Sequence, residues 1–439
     1  MLAIAAAALS LALPQPEDEL LREVSAERLK QTVDTLASFG TRHTLSATDD
    51  PKRGIGAARD WLLAEMKAAG GSLTAEAEAF DAPRSVRLPD GARIVNIVGR
   101  VKGSMPEAAS RLYYVVGHYD SRNSEAMDAT TDAPGANDDA SGTAVVMELA
   151  RVLADHPLES TVVFLCTAAE EQGLIGAKFH SDTVAADTSV RVMAVLNNDI
   201  VGDPWGARPR LPDAPERFQI RVFSHGLPRN PSAQEYADIK AWSSSNDSGG
   251  RQLARFVFDA AAAAKTAVRP VVIFRDDRFL RGGDHTPFAE RGVPAIRFTA
   301  PHEDYSRQHV GVTTKDGKPY GDIPEFVDGA YMADVARVNL AALIALANAP
   351  SPPTNVRMLT AALTTDTELR WNPSPEPDVA GYEVVWRETT EWNWTHSFDA
   401  KRETAAVIPV SKDACFFGVR SYDKDGNRSP VQFAGAAKE

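Results

Sequence analysis

Three short segments constrain the fold most: Leu112–Val116, Ser160–Leu165 and Met193–Leu196. Each has the length of a β-strand, and its apolar residues follow one another without polar alternation. A strand with one wet face alternates. A strand that reads this way is buried on both faces, which implies a sheet covered by helices above and below. Arg93–Val98 and Pro294–Phe298 read as further strands. Segments of helical period lie around them. Glu17–Phe39 spaces Leu20, Leu21, Val24, Leu29, Val33 and Leu36 helically, behind an imperfect capping box at Ser25. Gly54–Ala69 does the same with Ala57, Trp61, Leu62 and Met66 and stops at Gly70-Gly71. Ser141–Leu153, Gly249–Ala264 (capped by Asp247 or Ser248) and Asp328–Asn348 complete the helical set. Strands alternating with helices predict an α/β fold with a mostly parallel central sheet and helices on both faces.

Polar clusters sit at the strand ends or just beyond, where open α/β sheets place their sites. They are His118-Tyr119-Asp120-Ser121, Asn137-Asp138-Asp139-Ala140-Ser141-Gly142, Ala169-Glu170-Glu171, Asn197-Asn198-Asp199 and Gln308-His309. Taken singly, each has an ordinary reading. Glu170-Glu171 would be a solvated helix start, Asp138-Asp139 a helix cap, His118 a structural histidine and Asp199 a turn cap. Taken together, they supply imidazole and carboxylate ligands for two zinc ions, with one carboxylate left to act as a base.

In this order the five clusters resemble the M28 family of metallopeptidases, the di-zinc aminopeptidases and their relatives, over Arg22–Asn348. The resemblance implies that Asp138 bridges two Zn²⁺, that His118 and Asp199 complete one zinc site, and that Glu171 and His309 complete the other. It implies Glu170 as general base, Asp120 behind His118 fixing its tautomer, and a cis peptide at Asp138–Asp139. Charge agrees: Asp138, Glu171 and Asp199 with a bridging hydroxide would neutralise two Zn²⁺. Adjacent side chains diverge, so Glu170 cannot coordinate as Glu171 does and is left near the water. Asp284-His285-Thr286-Pro287-Phe288 resembles a loop beside the family's site, so Asp284 and His285 are expected as supporting or pocket residues. Some relatives carry a carbonyl-polarising tyrosine just before that loop. Residues 270–283 hold Arg275, Arg278 and Arg281 but no tyrosine, leaving Tyr305 or Arg281 for that role. The implied activity is hydrolysis of N-terminal peptide bonds. A carboxypeptidase or dipeptidase, a glutaminyl cyclase-like acyltransferase and an inactive binding protein are the alternatives on the same scaffold.

The chain has 439 residues, 44% of them hydrophobic, enough for more than one domain. Its net charge of −13 lacks the basic footprint of a nucleic-acid binder. The apolar run Met1–Leu13 fits the core of a signal peptide, though no Lys or Arg precedes it. It predicts export to the periplasm or exterior and is too short to span a membrane. The expected division is 1–19 leader, 20–348 peptidase domain, 349–353 linker (Ala-Pro-Ser-Pro-Pro) and 354–439 a small all-β sandwich. In the last, Trp371-Asn372-Pro373, Gly381-Tyr382 and Val419–Asn427 resemble a fibronectin type III module, with Cys415 where a core tyrosine is common. Trp392 and Trp394 share a face there. That face either binds a surface or polymer or packs against the chain's own domains. Cys166 and Cys415, the two cysteines, lie far apart and are expected unpaired.

Overall fold

The computed structural model describes Leu13, residues 18–228 and residues 230–437. The leader reading therefore lies outside the described residues except at Leu13, which is buried in the main core, and at residues 18–19, which open the short helix Asp18–Arg22.

Eight strands form the central sheet: β1 (Leu73–Ala82), β2 (Ala92–Val101), β3 (Arg111–His118), β4 (Thr161–Thr167), β5 (Arg191–Asn198), β6 (Gln219–Ser224), β7 (Arg269–Ile273) and β8 (Ala295–Thr299), in the order β1-β2-β4-β3-β5-β8-β6-β7. Four of the seven pairings are parallel and three antiparallel. The sheet is thus mixed. β1 and β2 form a hairpin at one edge, and β6 runs against β8. The parallel part is the centre, β4-β3-β5-β8, where the unalternating runs fall.

Side chains of those runs split by parity, as a pleat requires. Tyr113, Val115, Val162, Phe164 and Cys166 enter one core. Leu112, Tyr114, Val116, Val163 and Leu165 enter another. The first core is closed by α2 (Ala26–Ser38), α3 (Gly54–Ala68), α4 (Ala140–Leu153), α7 (Gly249–Ala263) and α9 (Gly329–Ala347). The second lies under α5 (Ile175–Ala186) and α8 (His285–Ala289). Full burial of a Val, Leu or Phe side chain stabilises by roughly 1.5–3 kcal/mol, so the central strands carry much of the folding energy. The expected Glu17–Phe39 helix is interrupted: Asp18–Arg22 and α2 are separate, and Ser25 caps α2 by accepting from the Arg28 N–H at 3.3 Å. Ser248 caps α7. Helix α9 is long and apolar enough to cross a bilayer, but 78% of its apolar window is buried in the core.

Beyond residue 353 two four-stranded sheets form a sandwich. One is ordered β15 (Ala405–Ile408), β12 (Thr367–Asn372), β11 (Thr354–Leu359), β18 (Gly435–Ala437). The other is β14 (His396–Lys401), β13 (Val379–Glu388), β16 (Cys415–Asp423), β17 (Gln432–Phe433). Both cysteines are buried and free. The Trp392/Trp394 face is turned onto the first domain. Trp394 is buried and its Nε1 donates to Gln252 of α7 at 3.0 Å. Trp392 meets Phe258 edge-on. Trp394 is thus withdrawn from solvent, while Trp392 stays 40% exposed.

Candidate metal centre

The C-terminal ends of the central strands converge. His118 is the last residue of β3, Glu170 and Glu171 follow β4, and Asp199 follows β5. Asp138 comes from the loop that joins β3 to α4, and His309 from the loop after β8. Backbone strain concentrates here. Ala169 (φ +60°), Ile200 (φ +62°) and His309 (φ +52°) occupy the left-handed region, each at or beside one of these residues. The Asp138–Asp139 bond is cis. Strand and helix approach closely: a Cβ on Gly117 would lie 2.7 Å from the carbonyl carbon of Gly142 in the first turn of α4.

The carboxylate of Asp138 lies between the two imidazoles. Its Oδ1 is 3.2 Å from His118 Nε2 and its Oδ2 is 2.9 Å from His309 Nε2. Asp199 Oδ2 is 3.9 Å from His118 Nε2, and Glu171 Oε1 is 2.7 Å from His309 Nε2. Two clusters emerge in which all donor atoms lie within 4.8 Å: His118, Glu170 and Asp199; and Asp138, Glu171 and His309. His118 Nε2, His309 Nε2 and Glu171 Oε1 are buried without an aligned hydrogen-bond partner. Buried polar atoms are almost always satisfied, so atoms left orphaned and aimed at one another fit metal ligation. Imidazole with carboxylate suits zinc.

Electrostatics point the same way. Burial disfavours the charged form of His118, yet Glu170, Asp120 and Asp138 outweigh it and raise its pKa well above the usual value. For His309, Asp138 and Glu171 overcome burial and push the pKa up to about 9. Arg122 Nη2 meanwhile lies 2.7 Å from His309 Nδ1 and reserves that nitrogen as an acceptor. Nδ1 is thus engaged, and Nε2 is the nitrogen that faces Asp138 and Glu171. Burial also raises the Glu170 carboxyl well above the ordinary range, helped by Glu171, Asp199 and Asp284 and opposed by His118.

The model of peptidase family M28 matches residues 96–320. A probable zinc metalloprotease of Leptosphaeria maculans is 44% identical over 97% of this chain and 99% of its own length. Another, of Pyrenophora tritici-repentis, is 43% identical over 96% and 88%. This chain belongs to peptidase family M28. Among solved structures, the LapA aminopeptidase of Legionella pneumophila (TM-score 0.50, 18% identity, 76% of each chain) and an aminopeptidase from Aneurinibacillus sp. strain AM-1 (TM-score 0.50, 15% identity, 74% of this chain and 95% of that one) are similar in fold.

Within this M28 zinc metalloprotease, Asp120 works differently from the sequence expectation. His118 Nδ1 is 3.1 Å from the main-chain carbonyl of Asp120, with the carboxylate farther off at 3.5 Å. The carbonyl thus sets the tautomer. The Asp120 carboxylate instead accepts from the Glu170 and Glu171 N–H groups, both at 3.2 Å, and positions the turn that carries them. Its place is structural support, not contact with substrate.

Four supporting residues escaped the sequence reading, and a fifth, Asp139, was read there as a helix cap. Asp139 caps α4 through Gly142 N (2.9 Å) and also accepts from His118 N and Ile200 N, both at 3.2 Å. Asp322 accepts from Asn137 N (2.8 Å) and Asp138 N (2.7 Å). Buried Arg42 donates to the carbonyls of Tyr119 (2.7 Å) and Gly135 (3.0 Å). Arg297 of β8 lies 2.8 Å from Asp199, and Arg122 Nε lies 2.7 Å from Glu171. Neither Asp322 nor Arg42 lies in a motif, and each acts across a long stretch of chain, so no local pattern announces them.

Of the expected pocket residues, Asp284 is buried and accepts from the Thr167 hydroxyl at the end of β4. Burial, with Asp120 and Asp199, pushes its pKa up to about 7. His285 is buried with Nε2 3.3 Å from the Asp276 carbonyl, and burial pushes its pKa down to about 4. Arg281 lines the cavity over the site. Tyr305 does not: it is 63% exposed, beneath Arg281 at 5.7 Å, and is no candidate for carbonyl polarisation.

Proposed function

We propose that this M28 zinc metalloprotease is an exported aminopeptidase that uses two zinc ions. The observation that carries the reading is the pair of donor clusters, Glu170 among the donors of the first, joined by the two oxygens of Asp138. His118, Asp138 and Asp199 would hold one ion and Asp138, Glu171 and His309 the other. Bound zinc would supply a Lewis acid for the scissile carbonyl and lower the pKa of a water. Glu170 takes the proton of the attacking water and returns it to the leaving amine. The cavity above the clusters, about 370 Å³, has room for a terminal residue and its neighbour. Export rests on the apolar Met1–Leu13 run. The C-terminal sandwich we read as a fibronectin type III-like module, on its strand pattern.

The test uses purified full-length protein. About two zinc ions per chain are expected by elemental analysis, with activity lost to a chelator and restored by Zn²⁺. Free aminoacyl amides and peptides should be cleaved and their N-acetylated counterparts should resist. Equal rates on blocked and free substrates would point to a carboxypeptidase or endopeptidase instead.

A further inference from the structure

The cavity over the site is lined by four arginines, Arg87, Arg122, Arg278 and Arg281, and by four carboxylates. The carboxylates are Asp138, Glu170, Glu171 and Asp199. On the reading above, three are zinc ligands and the fourth is the base, so none is left to receive a cationic substrate group. The arginines are not all committed. Arg122 pairs with Glu171 at 2.7 Å. Arg278 pairs with Glu303 at 2.5 Å and Asp277 at 3.3 Å. Arg87 donates to the main-chain carbonyl of Glu171 at 2.7 Å and has no carboxylate partner among the described residues. Arg281 stacks over Tyr305 and likewise has none among them.

Two arginines without a carboxylate partner among the described residues therefore line a cavity whose own carboxylates are spoken for. Guanidinium groups recognise carboxylates with charge-assisted, often paired hydrogen bonds. Half-buried Leu174 adds an apolar edge to the cavity. We infer that this cavity selects substrates that carry a carboxylate close to the scissile bond, received by Arg281 and Arg87. The inference rests on the peptidase reading of the same site. The carboxylate has two sources: the side chain of an N-terminal Glu or Asp, or the free C-terminus of a very short peptide.

The zinc-loaded full chain separates them. Glu- and Gln-anilides differ in side-chain charge but hardly in shape and have no terminal carboxylate. Leu-Leu and Leu-Leu-amide differ only at the C-terminus. In one pair the carboxylate should raise kcat/KM by about tenfold or more, the worth of a hydrogen bond between charged groups, chiefly through KM. Arg281→Gln should collapse that ratio towards one, and Arg87→Gln should shrink it. Equal rates within both pairs, or a preference for a Lys-anilide, overturn the inference and leave the peptidase reading standing. Should no free-amine substrate be cleaved by zinc-loaded protein, the peptidase reading fails. Calorimetry with glutarate against glutaramide then still decides whether a carboxylate subsite exists: tighter glutarate binding, weakened by Arg281→Gln, supports it, and equal binding overturns it.

Discussion

Glu170 and Glu171 are neighbours in the chain yet stand in different chemical positions. Ala169, held at φ +60°, turns the chain, and the Asp120 carboxylate grips both following N–H groups at 3.2 Å. Glu171 then meets His309 and Arg122, while Glu170 joins the side of His118 and Asp199. Glu170→Gln should remove the proton acceptor and keep the shape. We expect a kcat roughly 10²–10⁴-fold lower, the usual worth of a positioned acid–base group, with zinc content near that of the parent protein. A variant that loses zinc would show that Glu170 is a ligand and that the roles of the two glutamates need exchanging.

At the level of elements, the loop between β3 and α4 must be held before Asp138 can sit between two imidazoles. Asp322 holds it from the far side, just after the hairpin of β9 (Thr313–Lys315) and β10 (Lys318–Tyr320). Burial pushes the Asp322 carboxyl up to about 7, countered by the two N–H donors and by Arg42. Asp322→Ala deletes both hydrogen bonds and leaves the N–H groups of Asn137 and Asp138 without acceptors. Support of this kind changes metal affinity by about 10–100-fold in other sites. A weakening of that size is expected in competition with a zinc chelator, in protein whose circular dichroism is unchanged. Parental zinc affinity would mean the loop keeps its shape without Asp322.

Across the whole molecule, the two domains are tied by buried charge. Arg387 of β13 lies 2.7 Å from Asp247, both almost fully buried, and Arg255 of α7 joins at 3.2 Å. Arg111 of β3 pairs with Glu376 at 3.1 Å in the same manner. A linker rich in proline suggests independent units, but these pairs argue that the sandwich docks firmly. Breaking a buried ion pair from one side costs about 3–5 kcal/mol. Because Arg255 remains beside Asp247, Arg387→Met should destabilise by about 3 kcal/mol in denaturant titration. None of the five residues proposed to hold the two zinc ions lies beyond the linker, so kcat on a small aminoacyl amide should stay close to parental while the variant is folded. A folded, zinc-loaded variant that is inactive would mean that the sandwich reaches the site.

The α/β class was legible because burial on two faces removes polar alternation from β3, β4 and β5, a purely local signal. The site was legible because metal chemistry restricts residue types: His118, Glu171 and Asp199 fall at or just beyond strand ends, with Asp138 and His309 on loops beside them. Tertiary structure alone decided the rest. The reversed direction of β6, the carbonyl rather than carboxylate of Asp120 behind His118, and the grip of Asp322 and Arg42 on the Asp138 loop all depend on contacts between residues far apart in the chain. So does the charge of the cavity: an arginine in the sequence is ordinarily a solvated surface residue, and only the fold shows which guanidinium groups already have a carboxylate and which face the site without one.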